Sequence, residues 1–229
     1  MKRPGAPTLV AIAAAALPLI SVHVAWLLSL HYQLIPACNP YWEGCTSISG
    51  ACRQEPVIFW FRFTMQPYGW LLIAFWAFAA VWCAHIHPAA RIRRWALLGC
   101  GAVGAVFYTL YATYLGESGE IPSLLRRYGI NLYFSMTVLA QMLLISVAAS
   151  ARVLGARMRQ GFVTILALLL LLGLASLPLQ FMDITEAEQD AWLNVLEWWY
   201  ALLMVALYPL TALAFERTGF RLHSVWQPR

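Results

Sequence analysis

Six apolar runs, each long enough to cross a bilayer, decide what this chain can fold into. They cover approximately Leu9–Leu30, Pro67–His87, Trp95–Leu115, Ile130–Ser150, Phe162–Phe181 and Ala191–Phe215. A hydrocarbon core about 30 Å thick takes roughly 20 residues of helix. Backbone exposed to lipid must satisfy its own N–H and C=O groups, which only a helix or a closed barrel does. The runs therefore predict an all-α polytopic membrane protein of six transmembrane helices, one domain over residues 1–229. Only 11% of the residues are charged, whereas a soluble domain carries roughly 25%.

The first run follows Lys2 and Arg3, as a signal peptide would. It continues unbroken through Trp26, Leu27 and Leu28 with no small-residue cleavage site after it, so a retained helix is expected. Charge then orients the spans. Lys2 and Arg3, then Arg91, Arg93 and Arg94, then Arg152, Arg157 and Arg159, and finally Arg217, Arg221 and Arg229 all fall on one side. The other side holds Arg53, Arg62, Arg126 and Arg127, with Glu43, Glu55, Glu117, Glu120, Asp183, Glu186, Glu188 and Asp190. Because Lys and Arg counts set orientation, both termini are expected in the cytoplasm. The net charge of +5 is spread through these short connections, which excludes a nucleic-acid partner.

One outer connection is long, about residues 31–66. Its later part, Val57–Phe63, reads either as an early start to span two or as an interfacial helix. Cys38, Cys45 and Cys52 lie in it seven apart, and an extracytoplasmic location predicts one disulfide among the three and one thiol left over. The pairing is open at this stage. The absence of C-x-x-C argues against a thiol oxidoreductase. His23, His31, His85 and His87 are staggered or near an interface, so they predict neither a haem nor a zinc site; no metal or other cofactor is implied.

Gly99-Cys-Gly-Ala-Val-Gly104 matches G-x-G-x-x-G, but it lies inside span three rather than between a strand and a helix. Close helix packing is the expected use. Pro178 and Pro209 are expected to kink spans five and six.

The feature with most chemistry is Glu197, in Leu196-Glu-Trp-Trp-Tyr200 near the start of the last span. Ionisable groups in membrane spans are costly and mark functional positions. Helical spacing sets Asn194, Glu197, Ala201, Met204, Tyr208 and Thr211 on one face and turns that face into the bundle, with Leu, Val and Trp on the others. At similar depth stand Asn131 and Ser135 of span four, Tyr108, Tyr111 and Tyr114 of span three, Gln180 of span five and Arg62 of span two. Arg62 is the expected counter-ion of Glu197. The group reads either as a structural polar network or as a ligand pocket open to the outer leaflet. Ion or proton translocation would want further acids at mid-depth, which spans one to five lack.

Three stretches resemble the FRAG–DRAM–SFK family of six-span membrane proteins. They are Cys45-Thr-Ser-Ile-Ser-Gly50 with Glu55-Pro56 and Phe59-Trp-Phe-Arg62; Arg127-Tyr-Gly-Ile-Asn-Leu-Tyr-Phe134; and Glu197-Trp198 with the run down to Gly219-Phe220. Tyr128 and Asn194 stand where animal members often carry a His near the openings of spans four and six, and the three loop cysteines match no family pattern. The resemblance implies lipid-connected work, such as lipid remodelling or phospholipid asymmetry, and for a bacterial member a place in the plasma membrane. On this reading the chain binds or helps organise membrane lipids through Glu197, Arg62, Asn131, Asn194, Ser47, Ser49 and Tyr111. Two other expectations stand beside it. One is a non-catalytic scaffold that binds another membrane protein. The other is a membrane hydrolase or acyltransferase using Ser47 or Ser49 with His31 as base, since such groups are brought together by folding rather than by sequence order. Whether the protein is an enzyme stays open.

Overall fold

A computed structural model describes residues 3–182 and 184–221. Lys2, Asp183 and Arg229 of the charge pattern lie outside the described residues, as does the side chain of Gln180. The elements are α1 (Ala6–His31), α2 (Ile48–Cys52), α3 (Val57–Ile86), α4 (Arg91–Tyr114), α5 (Glu120–Ser150), α6 (Ala156–Ala175), a 3-10 turn (Pro178–Gln180) and α7 (Glu186–Arg217). All but α2 and the turn are long and apolar enough to cross a membrane, and together they make a six-span membrane protein.

Several helices outrun the apolar stretches that announce them. Val57–Phe63 is the first two turns of α3, so the interfacial-helix alternative is not realised and the outer connection shrinks to residues 32–56. Likewise α5 begins at Glu120 and α7 at Glu186. The start of α7 is fixed by a capping box. The Thr185 hydroxyl accepts from the Glu188 amide at 3.2 Å, and the Glu188 carboxylate accepts from the Thr185 amide at 3.0 Å. This reciprocal pairing satisfies two of the donors that every helix start leaves free. Pro178 is not inside span five as expected: α6 ends at Ala175 and Pro178 opens the 3-10 turn. A proline lacks the N–H that would continue the ladder. Pro209 does lie within α7.

The closest neighbours run α6–α7–α1–α3–α4–α5 around the bundle, while α5 and α6 barely touch. Helix α6 is correspondingly peripheral and buries only Met158, Phe162 and Leu169 among its residues. The core on the other side is aromatic, with Tyr68, Trp76, Trp82, Trp198 and Tyr208 fully enclosed. The Gly-rich run of α4 acts by packing: a Cβ on Gly101 would stand 2.2 Å from the Trp76 ring, and one on Gly104 would stand 3.1 Å from Thr137 Oγ1. Gly99 meets nothing within 4 Å.

The inner end is closed by Glu216, whose Oε1 accepts from Thr8 Oγ1 at 2.7 Å and from the Gly5 amide at 3.3 Å. Trp82 Nε1 donates to Thr218 Oγ1 at 2.9 Å. The two ends of the described chain therefore share one side, the side of the arginines that open α4 and α6.

At the outer end Cys38 and Cys45 form a disulfide with their Cα atoms 6.3 Å apart, and Cys52 is free and buried on α2. Burial, with the Glu197 carboxylate nearby adding to it, pushes the Cys52 thiol well above the ordinary thiol range. Thiolate is the reactive form. Expected, therefore, is that a maleimide labels Cys38 and Cys45 only after reduction and leaves Cys52 unlabelled until the protein is denatured. Mass spectrometry of the labelled peptides reads this out. Replacing Cys38 and Cys45 together by Ser should cost about 2 kcal/mol, the loop-closure entropy of so short a ring.

Candidate functional site

Glu197 lies about twenty residues before Arg217 on α7, or about 30 Å of helix. With Arg217 at the inner surface, that sets the carboxylate at the outer edge of the hydrocarbon core. The outer connection folds down over this level. The amides of Ile48 and Ser49, opening α2, approach the Glu197 carboxylate. The Ser47 side chain caps α2 by accepting from the Gly50 amide at 2.9 Å. Gly50 suits this turn because a Cβ there would stand 2.6 Å from Thr46 Oγ1.

Side chains of α7 and α1 hold the connection in place. Asn194 Nδ2 donates to the Gly44 carbonyl at 2.8 Å, Trp198 Nε1 to the Thr46 carbonyl at 2.9 Å and Trp199 Nε1 to the Tyr41 carbonyl at 3.0 Å. His23 Nε2 and the Tyr41 hydroxyl are 2.9 Å apart, and Ser29 Oγ donates to the Ala51 carbonyl at 2.6 Å. Gly44 has a positive φ of 63°, and its α-carbon faces the start of α7 so closely that a Cβ would overlap the Ala191 carbonyl. Only glycine meets both conditions at little cost.

Between α5, α6 and α7, where the bundle is least closed, lies a cleft of about 440 Å³. Ser49, Asn131, Ser135, Ser176 and Glu197 supply polar groups, while Leu172, Leu193, Leu196 and Phe134 supply apolar wall. The Phe134 and Tyr200 rings, 5.4 Å apart, stand together on it. Glu197 also borders a 60 Å³ void on its other side, ringed by Tyr68, Tyr108, Tyr111 and Tyr133. The carboxylate thus separates the laterally open cleft from the closed aromatic core. Apolar walls with a few convergent polar groups are the usual make-up of a small-molecule site.

Of the residues singled out in the sequence, Glu197, Asn131 and Ser49 meet in this cleft, joined by Ser135. Tyr111 reaches it indirectly, its hydroxyl 2.7 Å from Ser49 Oγ. Asn194 and Ser47 are spent on the loop and the α2 cap. Arg62 is not the counter-ion of Glu197. It donates from Nη2 to the Glu117 carboxylate at 2.6 Å and to the Leu115 carbonyl at 2.8 Å, tying α3 to the end of α4. Phe61 and Met65 of the same helix border the void beside Glu197, while Arg62 is turned toward the end of α4, so the two charges stand on different faces. Trp198, assigned by periodicity to a face away from the polar stripe, is 1% exposed because the folded-back connection covers it.

The hydrolase geometry is not assembled. His31 is exposed against Tyr32, Ser49 is bonded to Tyr111 and Ser47 to an amide. Among the described residues no three His, Cys, Asp or Glu side chains gather as metal ligands. Sequence reasoning missed Glu117 as the partner of Arg62 and α2 as a lid on Glu197. The Ser47-to-Gly50 cap spacing was the one signal of α2 available. Compared with protein-family models, with curated proteins and with solved structures, the chain matches none.

Proposed function

We propose that this protein binds a membrane lipid at the outer leaflet of a bacterial plasma membrane, with the lipid headgroup in the cleft between α5, α6 and α7. One observation carries the reading: polar groups, Glu197 among them, line a 440 Å³ cleft otherwise walled by apolar side chains, at the depth where headgroups meet acyl chains. A water-soluble ligand would have no use for a cleft whose open side is the gap between two spanning helices. A lipid enters such a gap from the bilayer and leaves its chains against the exposed leucines of α6, such as Leu170, Leu171 and Leu174. The resemblance of the Glu-Trp, aromatic-Arg and Arg-Tyr-Gly-Ile-Asn stretches to the FRAG–DRAM–SFK family points the same way.

The test is lipid retention. Native mass spectrometry of the protein released from membranes should show lipid adducts on the wild type. Glu197→Ala should lower their occupancy roughly tenfold, the weight of one hydrogen bond to a charged group. A variant that folds and keeps the same adducts would remove Glu197 from the site. A wild type without lipid adducts would remove the reading itself.

A further inference from the structure

A second cavity, about 230 Å³, adjoins the cleft on its outer side; Ser49 and Ile130 line both. Arg53, Arg126 and Arg127 line it, together with Ser123 and Tyr111, and among the described residues no acid does. Arg126 is set in place by its own bonds, Nη1 donating to the carbonyls of Glu117 and Tyr114. Those acceptors carry no net charge. Among the described residues the ion pairs are Arg62–Glu117 and Arg221–Glu216. Among those residues neither the three arginines nor Glu197 therefore has an ion-pair partner. One serine separates a positive cavity from a negative one.

We infer that the ligand headgroup is zwitterionic, its phosphodiester held by Arg53, Arg126 and Arg127 and its ammonium held in the cleft by Glu197 with Asn131 and Ser135. The inference rests on the lipid reading and narrows it to an aminophospholipid. The charges select this class by elimination. A purely anionic headgroup satisfies the arginines but faces an unneutralised carboxylate, and like-charge juxtaposition inside a site counts against a partner. A simple cationic amphiphile leaves three arginines unmatched. A phosphate and an ammonium joined through two carbons answer both cavities at once, with the linker passing Ser49. Arginine is suited to the first part because its planar fork matches phosphate oxygens. Asn131 and Ser135 offer the oxygen acceptors that a primary ammonium uses, and the Phe134 and Tyr200 ring faces favour a cation further.

The experiment titrates the full-length protein in detergent with short-chain phosphatidylethanolamine and, separately, phosphatidylglycerol of the same chain length. Soluble phosphoethanolamine is the third probe. The wild type is expected to bind the ethanolamine lipid roughly tenfold more tightly than the glycerol lipid, about one charge-assisted hydrogen bond. Glu197→Gln should bring the two lipids to equal affinity. The double variant Arg53→Ala/Arg127→Ala, whose side chains are exposed and contribute little to folding, should weaken both lipids by a similar factor and keep their ratio. Equal affinity of the wild type for both lipids overturns the zwitterion assignment and leaves the lipid reading standing. So does a ratio that Glu197→Gln does not change. If Glu197→Gln fails to fold, the arginine variant still decides: undiminished binding overturns the phosphate assignment. Phosphoethanolamine binding as tightly as the lipid keeps the zwitterion and overturns the lipid source, and no binding of any probe overturns both.

Discussion

Trp198→Ala is expected to be the most destabilising single truncation on the outer half of the molecule, at about 3–5 kcal/mol. The indole is 1% exposed. It packs against three aromatic rings at once: His23 at 5.7 Å, Tyr41 at 5.2 Å and Trp26 at 6.3 Å between centroids. Its N–H also holds the Thr46 carbonyl. Truncation removes the contacts that seat the outer connection on α7, and the buried Thr46 carbonyl loses its donor. The loss should appear as a lower melting temperature in detergent. It should also make the connection near Arg53 more easily cut by trypsin, because the segment opens before the bundle does. Trp198→Phe keeps most of the ring and loses the hydrogen bond, so it should cost nearer 1 kcal/mol. If the two variants melt together, the packing account is wrong and the hydrogen bond carries the effect.

The second large effect is expected in the Gly-rich stretch of α4. Gly101→Val should destabilise by about 3 kcal/mol or fail to fold, since even its Cβ would stand 2.2 Å from the Trp76 ring and force α3 and α4 apart. Helix association in a bilayer depends on close van der Waals packing rather than on exclusion of water, so a widened contact is not recovered elsewhere. Gly99→Val, two residues away in the same motif, meets open space and should change the melting temperature by no more than about a degree or two. Equal melting of the two variants would show that the glycines serve the helix backbone and not the α3–α4 contact.

That pair of variants shows where sequence reading stops. The motif presents its glycines as equivalent; the neighbour that makes Gly101 irreplaceable, Trp76, belongs to another helix and is far away in the chain. The same limit applies at the site. Periodicity put Glu197 on the inward face of its helix, and charge counting put it near the outer surface. Asn131 was legible for the same reason, as a polar residue near the start of an apolar run. Arg62 was misassigned because its partner was chosen by charge and approximate level alone. Charge does not say which face of α3 carries it: Phe61 and Met65 of that helix border the void beside Glu197, while Arg62 turns to the end of α4.

What the sequence determined by itself is the number of spans, the grouping of both described chain ends with the arginine-rich connections on one side, and the identity of the costly carboxylate. Those follow from local quantities, namely the length of apolar runs, the asymmetry of arginine and the 3.6-residue period, and the bilayer enforces each of them segment by segment. Only the tertiary structure decided what surrounds Glu197. The outer connection folds inward onto Trp198 and Asn194, the α5–α6 gap stays open, and three arginines from two different segments gather beside Ser49. Each of these depends on which groups are left without partners once the helices have packed. That is a property of the whole bundle, which no single stretch of the chain encodes.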